Sequence, residues 1–250
     1  MFHLSPYFIY PMLHLLILDV PAALRRDSRL FWLALLVFLL SIVLAFLLAR
    51  FNVQTVNLVY NAHQIDEFTR MFHPHWQSML IEQRSNTEQF FFYVMNNGWV
   101  SIQIFLLGVL LGAGSLIFLA YLGFSLGLML GLLSSTAYSE VMWSTIAAHS
   151  GFEMLATIIA AVAGLKWGLS LVLITDAKRR HVFGLRFAQS IILLLNAMVF
   201  FVIAALIESY WSFGVQSSVF VKSIVGAACW IGLVSFLMFY GRSAAKHENG

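Results

Sequence analysis

Apolar runs divide the chain into six predicted membrane-crossing helices, and its only extended polar segment lies between the first and the second. A spanning helix needs about 20 predominantly apolar residues. Residues 30–48 hold neither charge nor proline and predict the first span. Residues 99–137 are too long for one helix, so they predict two spans with a tight turn at 121–123. The earlier of these carries Gly108 and Gly112, the later Gly123, Gly127 and Gly131. The fourth span covers 150–174 and stops at Asp176, Lys178, Arg179 and Arg180. The fifth covers 187–207, ends at Glu208 and contains Asn196. The sixth covers 219–240, with Lys222 near its start. The predicted fold is an all-α polytopic membrane protein of about six transmembrane helices.

The polar segment, 50–97, reads as an extracytoplasmic helical hairpin between the first two spans. Val56, Val59, Tyr60, Ile65, Phe68 and Phe72 recur at helical spacing, and so do Trp76, Met79, Leu80, Phe90, Phe91 and Val94. Pro74 separates the two runs, which places a turn at His73, Pro74 and His75. The aromatic group 90–93 belongs at the membrane interface. Residues 1–23 are apolar but broken by Pro6, Pro11 and Pro21; the stretch 7–20 is too short to span, and residues 1–29 predict an interfacial, cytoplasmic segment. The chain then divides as 1–29, a first helix at 30–49, the hairpin at 50–97, a five-helix bundle at 98–240 and a cytoplasmic tail at 241–250.

The fourth span is the expected centre of the bundle. Ala156, Ala160, Gly164 and Gly168 recur every fourth residue, a stripe on which another helix can approach backbone to backbone. His149 and Glu153, also four apart, share one face near the start of that span. A helix made only to sit in lipid needs neither feature.

Composition and charge fix the class. The chain is 61% hydrophobic and 10% charged, with a mean hydropathy of +0.87; soluble domains are nearer a quarter charged. The net charge of +3 does not point to nucleic acid, because the basic residues flank apolar runs instead of forming a groove. Arg25, Arg26, Arg29, Lys178, Arg179, Arg180, Arg186, Arg242 and Lys246 lie on one side of the six-span topology, and Arg50, Arg70 and Arg84 on the other. The positive-inside bias therefore puts both termini in the cytoplasm of a bacterial plasma membrane. Cys229 is the single cysteine, so no disulfide framework exists.

The candidate functional cluster is His149, Glu153, Glu208, Asn96 and Asn97, all expected near the outer ends of helices. Glu208 at a helix C-terminus faces an unfavourable dipole, so a compensating donor is expected, with Lys222 or Trp211 as candidates. Against this stands the plainer reading of helix-terminal groups hydrogen-bonded to neighbours. A metal site of His149, Glu153 and Glu208 is the sharper alternative, but the pattern lacks the second helical histidine; His73 and His75 could complete it only if the hairpin folds back. Lys166 is expected to be buried in the fourth span, pairing with Asp176 or snorkelling to the surface. Gly108, Gly112, Gly123, Gly127, Gly131, Gly164 and Gly168 are expected to serve helix packing. No phosphate loop and no nucleophile elbow occurs. No catalytic residue is assigned and no cofactor is expected.

Asn96 and Asn97 before a span with Gly108 and Gly112, the glycine-spaced span that follows, and His149, Phe152 and Glu153 leading to Ala163 and Gly164 carry a resemblance. So do Ala204, Ala205, Ile207 and Glu208. Over about residues 25–240 the chain resembles the stage II sporulation protein M family. That resemblance implies an integral membrane component of an envelope complex. In spore formers the founding member anchors two extracytoplasmic partners that cut peptidoglycan; many other members are encoded near a MoxR-type ATPase. The chain departs from the family in its short apolar N-terminus and histidine-rich turn, and nothing in it reports sporulation.

The expected function is therefore a non-enzymatic membrane anchor or scaffold, linked to peptidoglycan remodelling, with a membrane or extracytoplasmic protein as partner besides the lipid bilayer. A homodimer through a glycine face stays open. A transporter or channel using Glu153, Lys166 and Glu208 is the alternative, weakened by the lack of an inverted repeat. A metal-dependent membrane hydrolase is third.

Overall fold

The computed structural model describes residues 14–73, 85–175, 179–213 and 217–240. Eight α-helices appear there, and no strand among the described residues: α1 (Val20–Arg26), α2 (Ser28–Phe51), α3 (Ala62–Met71), α4 (Asn86–Leu106), α5 (Ala113–Leu133), α6 (Ser139–Ser170), α7 (Arg180–Ile207) and α8 (Val219–Phe239). With their terminal turns, α2, α4, α5, α6, α7 and α8 are each long and apolar enough to cross a membrane. The protein is an all-α, multi-pass membrane protein.

Helix α6 is the axis. In its most apolar window 67% of the residues are buried, against 17% in α2, α4 and α8. Helices α4, α5, α7 and α8 all pack on it, while α2 lies chiefly on α5. Bilayer hydrocarbon cannot drive helices together, so close approach has to come from small residues. Gly123, Gly127 and Gly131 supply it on α5: a methyl group at each would strike the carbonyl oxygens of Phe38, Ile42 and Phe46 on α2. Gly164 lies against Ser115 and Ile104, and Gly168 against Gly108 and Gly112. The repeats are thus spent on contacts within the chain.

The break between the second and third spans falls at 110–112, not at 121–123, which lies inside α5. Leu111 (φ 52°) and Gly112 (φ 84°) both adopt the left-handed conformation, which stops a helix. The carbonyls exposed by the break find donors: Ser115 Oγ donates to Ile104 O at 2.7 Å, and Trp167 Nε1 to Phe105 O at 2.8 Å. Within a membrane such groups have no water to turn to.

Other boundaries also move. Helix α4 starts at Asn86, where Ser85 and Glu88 form a capping box, and runs unbroken through Asn97, so the 97/98 division falls inside one helix. Helix α6 begins at Ser139 rather than near 150, and α7 at Arg180 rather than 187. Helix α1 does not merely lie on the surface, since Val20 and Leu24 enter the core and Arg25 donates to the carbonyls of Leu237 and Tyr240 at 3.1 and 2.6 Å. Those bonds bring the two ends of the described chain to one end of the bundle.

Of the expected hairpin, α3 is present, capped by Asn61 and Gln64. It folds back on the bundle: Tyr60 donates to Ser125 O at 3.0 Å, and Phe72 packs with Leu133 and Met142. Pro74, His75, Trp76, Met79 and Leu80 and the basic residues Arg84, Lys178, Arg242 and Lys246 lie outside the described residues, while Phe90, Phe91 and Val94 of the second run belong to α4.

Candidate functional site

Three helices each carry two polar residues four positions apart, and the six meet. Helix α4 brings Tyr93 and Asn97, α6 brings His149 and Glu153, and the π-helical turn Glu208–Ser212 that extends α7 brings Glu208 and Ser212. Asn97 Nδ2 donates to Glu153 Oε1 at 2.9 Å. His149 Nδ1 and Ser212 Oγ are 2.9 Å apart. Tyr93 hydrogen-bonds the Glu208 carboxyl. Each pair of helices is therefore joined by one polar contact. Helix α8 adds a fourth arm, because Lys222 Nζ donates to Ser212 O at 2.7 Å.

Asn97, His149, Glu153 and Glu208 of this polar triangle line a cavity of about 590 Å³. Asn96, Asn97, His149, Glu153 and Glu208, the five residues singled out in the sequence, all line it; the remaining walls are largely apolar, among them Phe38, Phe201 and Trp230. Asn96 Nδ2 donates to Asn97 Oδ1 at 3.2 Å and so holds the amide that serves Glu153. Glu208 Oε2 is buried with no hydrogen-bond partner among the described residues. The carboxyls of Glu153 and Glu208 are close enough to interact electrostatically. A charge at the centre of a spanning helix costs roughly 2.5 to 3.5 kcal/mol on translocon scales, and hydrogen bonds to donors offset only part of that.

Several expectations change. Glu153 is not one turn into its helix: it lies about 21 Å from the start of α6 at 1.5 Å per residue. The helix dipole, which fades within the first turn, does not hold it; Asn97 does. Glu208 does not end its helix either, because the π-helical turn continues the chain. Its donor is Tyr93, whereas Lys222 bonds Ser212 and Trp211 Nε1 is buried without a partner among the described residues. Lys166 pairs with Asp27 at 2.6 Å, Asp176 lying outside the described residues, and sits about 20 Å from Glu153 along α6. It belongs to a different site.

Tyr93 and Ser212 escaped notice in the sequence. Tyr93 is hidden in an aromatic run, but its spacing of four from Asn97 was the available signal. His73 lies beside Tyr138, ring centroids 4.9 Å apart and rings inclined by 60°, and joins no metal-binding group with His149 among the described residues. Among the described residues no group of three His, Cys, Asp or Glu is placed to hold a metal. Ser212, beside His149, is 1% exposed and is not part of the cavity wall. The arrangement can therefore grip a polar group inside an apolar recess.

No curated protein and no solved structure matches the chain. The family model of stage II sporulation protein M matches residues 34–213, a stretch that contains α3, α4, α5, α6 and α7 whole, most of α2, and every residue of the polar triangle. With the fold, the six spans and this match in agreement, the chain belongs to the stage II sporulation protein M family.

Proposed function

We propose that the protein is a non-enzymatic membrane anchor or scaffold of a cell-envelope complex, in which the polar-walled cavity receives a partner's membrane segment. One observation carries this reading: Glu208 Oε2, buried and without a donor among the described residues, neighbours Glu153 in a recess that is largely apolar. A recess of that chemistry fits an apolar helix carrying one hydrogen-bond donor or cation, which would satisfy the carboxyl on docking. Family membership supports an envelope role linked to peptidoglycan remodelling. The gathering of Arg26, Arg29 and Arg186 around one cavity, with Arg50 hydrogen-bonded to Ser135 elsewhere, supports termini in the cytoplasm of a bacterial plasma membrane. Helix α3, between the first two spans, is then extracytoplasmic.

The test is gentle extraction of the full-length protein from native membranes, with mass spectrometry of what stays bound, for wild type, Glu153→Gln and Glu208→Gln. A stoichiometric envelope protein lost in either variant is the expected result. Identical recovery from all three, with the variants folded, refutes the reading.

A second reading, ion or small-solute passage, is favoured by the two neighbouring carboxyls lining a cavity within the span. Lys166 takes no part in it, being about 20 Å away in its own ion pair. Flux in proteoliposomes that Glu153→Gln abolishes would establish passage over anchoring.

A further inference from the structure

A second cavity, of about 520 Å³, lies where α1, α2, α6 and α7 meet, and its charge is lopsided. Arg26, Arg29, Lys166 and Arg186 line it, with Asp27 as the single carboxylate among the described residues. Lys166 and Asp27, only 7% and 14% exposed, neutralise each other at 2.6 Å. No carboxylate among the described residues pairs with Arg26, Arg29 or Arg186. Three guanidinium groups thus surround a closed ion pair and are left over for something else.

We propose that this cavity binds the phosphate of an anionic phospholipid headgroup. Guanidinium groups recognise phosphate oxygens in a bidentate fork and stay charged at all accessible pH. The first turn of α2 opens on the same space, with Ser28, Arg29 and Leu30 in the wall, and the positive end of a 24-residue helix favours an anion there. The Lys166–Asp27 pair fixes that turn against α6, so the arginines project from a rigid base. Asp27 is the N-cap of α2 but makes no side-chain cap bond, its carboxylate being committed to Lys166.

The surroundings favour a lipid over a soluble phosphate. Leu30 and Leu169 are part of the cavity wall, and exposed apolar side chains lead away from it: Trp32 and Leu36 on α2, Val172 beyond α6 and Leu185 on α7. Acyl chains attached to a phosphate held by Arg29 and Arg186 would lie on that surface. Basic pockets between spanning helices are a known way to hold acidic headgroups.

The test uses the full-length protein in a non-ionic detergent, titrated separately with short-chain phosphatidylglycerol, short-chain phosphatidylcholine and inorganic phosphate. Native mass spectrometry reads bound lipid, and the melting temperature reads stabilisation. Phosphatidylglycerol should bind in preference to phosphatidylcholine, at least tenfold more weakly to Arg29→Gln/Arg186→Gln, with an intermediate loss for Arg29→Lys/Arg186→Lys, which keeps the charge but not the fork, and unchanged to Arg50→Gln and Glu153→Gln. If the double glutamine variant does not fold, each single change should weaken binding several-fold. Equal binding of the two lipids, or no loss in the glutamine variants, overturns the proposal. Stabilisation by inorganic phosphate alone, with displacement of the lipid, overturns the lipid source and assigns the arginines to a soluble phosphate.

Discussion

Asn97 Nδ2 on α4 donates to Glu153 Oε1 on α6 at 2.9 Å, across 56 positions of the chain, and so gives the carboxyl at the heart of the bundle a donor. Without that amide the carboxyl would be buried with a lone pair unmet, which costs about 1 to 3 kcal/mol and more for a charged group. Asn97→Leu is expected to lower stability by at least that amount, and Asn97→Gln by less. Glu153→Gln, which keeps the size and can still accept from Asn97, should fold. Unfolding in mixed micelles measures all three; an Asn97→Leu protein as stable as wild type would show that the bond contributes nothing.

The glycine repeat of α5 makes a contrast that is easy to read. A Cβ at Gly127 would strike the Ile42 carbonyl and stand 2.9 Å from the Ala45 Cβ, both on α2. At Gly184 it would meet nothing within 4 Å. Gly127→Ala should therefore cost about 1 to 3 kcal/mol through overpacking. Gly184→Ala should be neutral or gain up to about 1 kcal/mol from helix propensity. The same micelle assay separates them, and equal effects would mean that α2 and α5 are not in close contact.

The Lys166–Asp27 pair is asymmetric in its surroundings. Arg26, Arg29 and Arg186 can pair with Asp27 when Lys166 is removed, but among the described residues no other carboxylate lines that cavity to replace Asp27. Asp27→Asn should cost about 3 to 5 kcal/mol, as for other broken buried pairs, and Lys166→Met clearly less. Asp27→Leu/Lys166→Met should recover most of the loss. The reverse order of the two single variants would contradict this placement.

Leu111 holds a left-handed backbone that disfavours a side chain by about 1 to 2 kcal/mol, and its side chain is 55% exposed, so it packs little against the protein. Leu111→Gly or Leu111→Asn should raise the melting temperature in detergent. A fall would mean that Leu111 contributes packing worth more than the backbone strain.

Much of the architecture was legible in the sequence because apolar run length reports membrane crossing directly. The six spans and the central role of α6 follow from that and from the small-residue stripe at 156–168. What misled was glycine, which serves two ends. At Gly123 it allows α2 to approach a continuous helix, while at Gly112 it permits a positive φ, and residue type alone does not distinguish the cases. The start of α4 was written in the Ser85 to Glu88 capping pattern, although the apolar count drew attention to Trp99 instead. Partners far apart in sequence were the hardest to see. Asp27 lies 139 positions from Lys166, and the nearer Asp176 was the natural choice. The polar triangle was half visible: His149, Glu153, Glu208 and Asn97 stand out as polar residues in apolar runs, while Tyr93 and Ser212 do not.

Photo-crosslinking from inside the cavity tests the anchor reading most directly. A photoreactive amino acid at Trp230, part of the cavity wall, is compared in living cells with one at Trp32, 63% exposed on α2. The expected result is one protein adduct from position 230, absent from position 32 and lost when Glu153→Gln is added. No protein adduct from position 230, or the same adducts from both positions regardless of Glu153, would contradict a partner seated in the polar-walled recess.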